Sequence, residues 1–474
     1  MKNYIPTIGL EIHAQLSTES KMFCRCLNDP DEKRPNINIC PICTGQPGTL
    51  PVVNKEAVYK ILQVGEALEG KIADFTEFDR KHYFYPDIPK GYQISQYKHP
   101  LVEGGVLAGI KLTRIHLEED TARSTHDKGG NTLIDFNRSG LPLMELVTEP
   151  EIKSGKEAAH VARELQLLLR YLNTGRANME KGEMRVEANL SISGSKELGT
   201  KVEVKNLNSF KAVEKAIAYE IERHTEVLER GGKISQETRG WDEEKGVTVS
   251  QRQKEESHDY RYFPEPDIPP FRLSEFEEFS SSSIRSSLPE LPWEKRERYE
   301  KSFGLDAEQT EMFVNTPKLS DFFEEVIEII PSDVDNSAKR AANYILSDLL
   351  GLMKEDGLDT VSLSASRFAE LMIMISEGKL SSRGGKDILL HMYKGEEGNV
   401  HDLAERYGLI QSSDDREIRT LAEEVMKENP DVVSDYRGGK DSSLQFLVGQ
   451  GMKKSKGSAN PQLLKDVIKD LIRG

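Results

Sequence analysis

The chain has 474 residues, 30% of them charged, and a net charge of −16. That length is too great for one ordinary core and predicts two to four domains. A mean hydropathy of −0.56, with no apolar run near the roughly 18 residues a spanning helix needs, excludes a helical membrane protein. The acidity argues against a chain that coats nucleic acid by bulk attraction. Residues 1–9 carry neither a signal nor a transit pattern, so the cytoplasm is the expected location, with no membrane partner.

In chain order, Ile8, Leu10, Ile12, Ala14 and Leu16 alternate with Glu11, His13 and Gln15, which predicts a strand with one apolar and one polar face. Asn54 is expected to cap a helix carrying Val58, Ile61, Leu62 and Leu68. Leu133 to Phe136 and Leu143 to Val147 read as strands around a Gly140/Pro142 break. Ser154 to Glu157 reads as a capping box, followed by a helix whose stripe is Val161, Leu165, Leu168, Leu169 and Leu172. Met184 to Ser191 and Lys201 to Lys205 alternate again. The Ser-rich stretch 280–289 lacks a period and predicts a boundary. From Pro292 the pattern is helical, with small helices after residue 401. Strands first and helices later predict an α+β domain followed by all-α domains. Between Lys440 and Arg473 seven Lys/Arg stand against three Asp, a local net charge of +4. Such a basic end is either a solvated helix face or a contact for a phosphate backbone.

The four cysteines, Cys24, Cys26, Cys40 and Cys43, form two close pairs within twenty residues. This pattern favours a closed structural zinc site over free or redox-active thiols. Carboxylates gather elsewhere. Glu11 shares a strand face with His13, Leu117 is followed by Glu118, Glu119 and Asp120, and Glu145 sits inside an apolar strand, where it needs a partner. Arg185, Glu187 and Asn189 line one strand face; Lys201, Glu203 and Lys205 line the next. Each strand alone is most simply a solvent-facing surface. Together they describe a wet cleft suited to divalent metal and phosphoryl chemistry. Two stretches, Arg80 to Pro86 and Asp259 to Pro264, interleave cations and aromatics. There is no P-loop, nucleophile elbow or dinucleotide fingerprint.

Several segments resemble one family together: Gly9 to Leu16, Asp79 to Asp87, Leu117 to Asp120, Ile134 to Pro150, Val204 to Phe210, His258 to Pro266 and Phe446 to Gln450. By these motifs the chain is similar to the B subunits of the tRNA-dependent amidotransferases, the GatB family. The resemblance implies a cradle domain (1–290) like glutamine synthetase and guanidino kinases, with a zinc-binding insertion at about 22–46. A helical domain (291–400) and a YqeY-like tail domain (401–474) that binds tRNA would follow. It implies a carbon–nitrogen ligase working in a heterotrimer, with the amidase as the A subunit and a small protein as the C subunit. ATP would activate the side-chain carboxylate of mischarged Glu-tRNA(Gln) or Asp-tRNA(Asn), and ammonia from the amidase would give the amide.

By the same resemblance, Glu11, His13, Glu119 and Glu145 are catalytic and bind Mg2+, with Glu187 as a further ligand where many members have Asp. Lys81, Tyr83, Arg138, Arg185, Lys205, Asn206 and Asn208 would bind nucleotide or substrate. The cysteines match a zinc site found in some members. Gly457 to Pro461 lacks the usual Lys after the Gly, leaving Lys453 and Lys454 as tRNA contacts. Two other readings stay open: a ligase acting on a small free amino acid, and a non-enzymatic zinc-containing tRNA-binding scaffold.

Overall fold

The computed structural model describes residues 4–126, 129–195, 197–253, 260–334, 336–358, 360–411, 415–455 and 459–473. The chain forms two compact units, Met1–Pro292 and Trp293–Gly474.

The first unit is built on a ten-stranded sheet. Its principal strands are β1 (Ile5–Gln15), β2 (Ile110–Glu119), β3 (Pro142–Thr148), β4 (Met184–Ser193), β5 (Val202–Leu207), β6 (Glu237–Asp242) and β7 (Val247–Gln253). They lie in the order β7-β6-β5-β4-β1-β3-β2, with short strands at residues 102–103, 106–107 and 71–72 beyond or beside β2. All pairs are antiparallel except β5 with β6. The N-terminal strand thus occupies the centre, between partners more than a hundred residues away.

The expected alternation of β1 holds. Ile8, Leu10, Ile12 and Ala14 are fully buried, or nearly so, together with Met144, Leu146, Val186, Ala188 and Leu190 of the adjoining strands. Helices α1 (Lys55–Ala67), α2 (Gly155–Tyr171) and α3 (Phe210–Glu229) supply the other half of this core. Asn54 caps α1 by accepting the Ala57 N–H. The predicted stripe of α2 is buried. Ser154 accepts the Glu157 N–H, but the Glu157 carboxylate takes the N–H of Lys153, so the reciprocal bond of a capping box does not form. Thr132–Asp135 is a strand, paired with Arg123–His126 in a separate hairpin.

The Ser-rich stretch, aperiodic in sequence, is partly helical and lies just before the division between the two units. Ser281–Ser287 is a helix (α4), capped by Ser280 and anchored by the fully buried Ile284 and by Arg285 on Glu66 of α1. Tertiary packing supplies what its composition lacks. The second unit is helical, with one aromatic-rich core around Phe313, Phe323 and Phe368. A smaller core forms around Ala422, Leu447, Leu464 and Ile468. No described helix is long and apolar enough to cross a membrane.

Candidate active site

The register of the central strands assembles a charged surface. Residues directly opposed across antiparallel strands share a face. His13 opposes Arg185 on one side and Glu145 on the other, and Glu145 opposes His116, so Arg185, His13, Glu145 and His116 form one row. Glu187 and Glu11 oppose each other in an adjacent row. On the opposite flank Gln15, Leu143 and Glu118 line up. From these rows Glu11, His13, Glu118, Leu143, Arg185 and Glu187 line a cleft of about 790 Å³, whose walls include Lys81, Tyr83, Gln93, Asp120, Lys205 and Tyr260; Glu145 and His116 are buried next to it.

His13 is the hub. Its Nε2 lies 3.3 Å from Glu145, 3.5 Å from Glu118 and 3.9 Å from Glu11. Burial disfavours the imidazolium, but the Glu145 hydrogen bond and the surrounding carboxylates outweigh it and raise the pKa to about 9. Glu118 is pushed up to about 7, first by burial and then by Glu145. Burial and Glu145 also raise Glu11. Burial works against ionised Glu145 too, yet His116, His13 and Lys81 hold it below the ordinary carboxylate range. His116 lies 3.4 Å from Glu145; burial depresses its pKa to about 4, with Glu145 acting in the opposite direction. Lys81 stays protonated in spite of burial, held by Glu118, Glu145 and the tyrosines around it.

Donor atoms of Glu11, His13 and Glu145 lie within 4.8 Å of one another, as do those of His116, Glu118 and Glu145. Carboxylate and imidazole donors at that spacing fit one or two divalent cations sharing Glu145. The proton drawn onto His13 marks the same need for positive charge.

The structure brings Glu11, His13, Glu187, Lys81, Tyr83, Arg185 and Lys205 to this cleft, with Glu145 buried beside His13. Glu187 stands apart from the His13 cluster, with Lys205 Nζ 2.9 Å away. Glu119 is not in the cluster. It opposes Pro142 on the other face of β2, pairs with Lys90 and accepts the Ile94 N–H at 2.9 Å. Its neighbour Glu118 takes the cleft position. Alternation about the buried Leu117 carries this signal, since it puts His116 and Glu118 together. Asp120, also missed, is held at about 2: Arg185 (2.7 Å), then Arg138, overcome the effect of its burial. Arg138 sits behind the cleft wall, donating to the carbonyls of Thr121 and Ala122. Asn206 and Asn208 are exposed at the end of β5. Of the segment His258 to Pro266, His258 and Asp259 lie outside the described residues, and Tyr260 and Arg261 line the cleft.

The sequence as a whole is similar to known proteins. The family model described as "GatB/GatE catalytic domain" matches residues 6–277, and that described as "GatB domain" matches residues 321–472. The chain belongs to the GatB family. The B subunit of the aspartyl/glutamyl-tRNA(Asn/Gln) amidotransferase of Thermodesulfovibrio yellowstonii is 44% identical over 482 residues, covering 99% of each chain. The protein of the same name from Thermotoga maritima is 41% identical over 489 residues, again with 99% of each chain covered. Among solved structures, the tRNA-binding domain of glutaminyl-tRNA synthetase from Saccharomyces cerevisiae is similar to 38% of this chain, over 92% of its own length. Its identity is 15% and its TM-score 0.25, too slight a likeness to argue from.

In this member of the GatB family the four cysteines converge. Their Sγ atoms all lie within 4.8 Å of one another, near the roughly 3.8 Å that tetrahedral Zn–S bonds of about 2.3 Å require. A hydrogen bond from Cys24 holds the Cys43 thiol at about 5 against burial, with Lys21 assisting. Four thiols and no carboxylate form a closed donor set, which fits zinc. In the tail, Lys454 lies 2.8 Å from Glu424 and 2.6 Å from Glu428, so its charge is offset within the chain, while Lys453 is exposed. Lys456 and Gly457–Ser458 lie outside the described residues.

Proposed function

We propose that this chain is the activating component of a tRNA-dependent amidotransferase. It transfers the γ-phosphoryl group of ATP to the side-chain carboxylate of Glu-tRNA(Gln) or Asp-tRNA(Asn). Ammonia then attacks the acyl carbon, the C–O bond to phosphate breaks, and the amide and inorganic phosphate leave. This is ligase chemistry with glutamine as the ultimate amido donor.

The observation that carries this reading is the row Arg185–His13–Glu145–His116, with Glu118 beside it: Arg185, His13 and Glu118 open onto one cleft and Glu145 and His116 lie buried against them. A carboxylate is a poor electrophile, and phosphorylation gives it a leaving group; the obstacle is the negative charge gathered at the site. Glu11, His13, Glu118 and Glu145 would hold Mg2+, which neutralises phosphate oxygens when bound. Lys81, Arg185 and Lys205 stand on the same cleft and would meet the phosphates of ATP or the substrate carboxylate. Asp120 fixes Arg185 at 2.7 Å, so that guanidinium is oriented before substrate arrives. Tyr83, hydrogen-bonded to Gln93 at 3.1 Å, gives the wall an aromatic edge.

The domain reading accompanies this function. Residues 1–290 would form the cradle, with a zinc-stabilised insertion; residues 291–400 would form a helical domain and the YqeY-like tail 401–474 would bind the tRNA. The chain would act in the cytoplasm, with the amidase (the A subunit) and the small C subunit as partners. Lys453 is the better candidate of the two tail lysines.

The test is ATP hydrolysis by the chain mixed with its amidase partner, with and without mischarged Glu-tRNA(Gln) and Asp-tRNA(Asn). Turnover that requires one of these tRNAs is the expected result and names the substrate. Turnover with free glutamate alone would favour the small-molecule ligase. Amide formed from glutamine by the chain alone would overturn the division of labour.

A further inference from the structure

The segment Asp135–Phe136–Asn137–Arg138–Ser139–Gly140 faces two ways. Toward the cysteine loop, Asp135 Oδ1 accepts the Asn36 N–H at 3.0 Å. Asn137 Oδ1 accepts the N–H groups of Ile37 (2.8 Å) and Asn38 (2.9 Å), and its Nδ2 donates to the Arg34 carbonyl at 2.8 Å. Ser139 Oγ donates to the Cys43 carbonyl at 3.2 Å. The carbonyls of Phe136 (3.2 Å) and Ser139 (2.8 Å) accept from Lys21 Nζ, whose remaining contact is Cys43 Sγ at 3.8 Å. Lys21 is only 1% exposed, so its ammonium is committed to this junction. Gly140, at φ +81°, lets the turn approach: a Cβ there would lie 3.4 Å from that of Cys43.

Toward the cleft, Arg138 donates to the carbonyls of Thr121 (2.9 Å) and Ala122 (2.8 Å) and lies 3.7 Å from Asp120. Asp120 in turn holds Arg185 on the cleft floor and accepts from Gln15 at 2.8 Å.

We propose that this turn is a clasp linking the four-cysteine site to the cleft, with Lys21 the counter-cation of the metal-bound thiolates and Asn137 the positioning residue that joins the two. The inference rests on the reading that the cysteines bind zinc and that the cleft binds ATP. A tetrathiolate around a divalent ion carries a net charge of −2, and a buried ammonium with a sulfur as its third neighbour offsets part of it. Loss of the metal would free the loop 34–43, and with it the turn that sets Arg138, Asp120 and Arg185. Linkage then requires the reverse effect: a ligand that orders the cleft must slow departure of the metal.

The experiment follows zinc transfer from the purified full chain to the chromogenic chelator 4-(2-pyridylazo)resorcinol, with and without saturating Mg-ATP. Nucleotide binding by the same preparation is followed with a fluorescent ATP analogue. We expect one zinc per chain, slower release with Mg-ATP, and release accelerated at least about tenfold in Asn137→Ala and Lys21→Met. In Asn137→Ala the Mg-ATP protection is lost. Asn137→Asp keeps the two accepted bonds and should retain most of it, which separates coupling from general misfolding. Release unaffected by Mg-ATP in a wild-type chain that binds zinc and nucleotide overturns the clasp alone. Absence of zinc overturns the metal reading and the clasp together, and absence of nucleotide binding overturns the cleft reading and the clasp together.

Discussion

Glu118 and Glu119 are adjacent in sequence, lie on opposite faces of β2, and should respond oppositely to the same substitution. In the metal-free protein the Glu118 carboxyl has its pKa raised from 4.5 to about 7. At about 1.4 kcal/mol per unit, ionising it costs the folded state about 3 kcal/mol at pH 8. Because the folded pKa lies above the unfolded one, the relative stability is complete below pH 4.5 and is lost as pH rises through 7. Glu118→Gln removes that cost, while its amide oxygen still accepts from Ser95 Oγ. With chelator present, Glu118→Gln should therefore melt higher than wild type at pH 8, with the gap closing at pH 5. Mg2+ should raise the Tm of wild type but not of this variant, and tRNA-dependent ATP hydrolysis should fall about a hundredfold. Glu119→Gln does the reverse. It leaves the Lys90 ammonium, only 12% exposed, without its carboxylate, at a cost of about 3 kcal/mol. The Tm should drop with or without Mg2+, and the Mg2+-induced rise should survive. Differential scanning fluorimetry at the two pH values, with chelator or Mg2+, reads all of this. If Glu119→Gln abolished the Mg2+ response and Glu118→Gln left it intact, the strand parity argued here would be refuted.

Other outcomes follow from the same geometry. Asp120→Asn loosens Arg185, and we expect KM for ATP to rise about tenfold with a smaller change in kcat, measured by steady-state kinetics of the reconstituted complex. Cys43→Ser removes one of four thiolates, so metal analysis should fall from one zinc per chain to well below it. The fully buried Glu220 of α3 is hydrogen-bonded by Arg223 and Thr248, with His224 Nε2 3.2 Å away, and these neighbours overcome its burial and hold it at about 2. Its folded pKa lies below the unfolded value, so about 3 kcal/mol present above pH 4.5 should be lost as pH falls toward 2. Glu220→Gln should remove much of it already at pH 7 and leave ATP hydrolysis per folded molecule unchanged, as urea titrations and activity assays can check.

What could be read in the sequence was what a local rule governs. The alternation of β1, the Asn54 cap and the α2 stripe each depend on residues within a turn or two, and each appears as expected. The site depends on pairing. His13 meets Glu145 because β1 lies beside β3, 130 residues on, and no local period encodes that neighbour. The Ser-rich helix α4 was illegible for the same reason, since Ile284 and Arg285 find their partners on other elements. Glu119 is a different case. The resemblance implies it as a ligand, while the count from Leu117 puts Glu118 on the face of His116. The local charge run shows Lys454 but not its partners, Glu424 and Glu428, which stand 30 and 26 residues earlier.

These cases bear on why the sheet is built as it is. One face of β1 is as apolar as any core strand; α2 packs on β1, and α3 on β4 and β5. The other face crowds Glu11, Glu118 and Glu145 around one imidazole, and it raises the pKa of two of the three carboxyls. Such a surface opposes folding when empty of cations. The register of β1, β3 and β4 is fixed by the apolar face, because a one-residue slip would turn Ile8, Leu10 and Ile12 out of the core. The core therefore holds the carboxylates together against their repulsion, and the repulsion is relieved when positive charge enters. On the function proposed above, divalent cation and cleft chemistry become one requirement: the site is most strained in the state that most needs the ion, and binding the ion would both stabilise the fold and prepare the surface for phosphate.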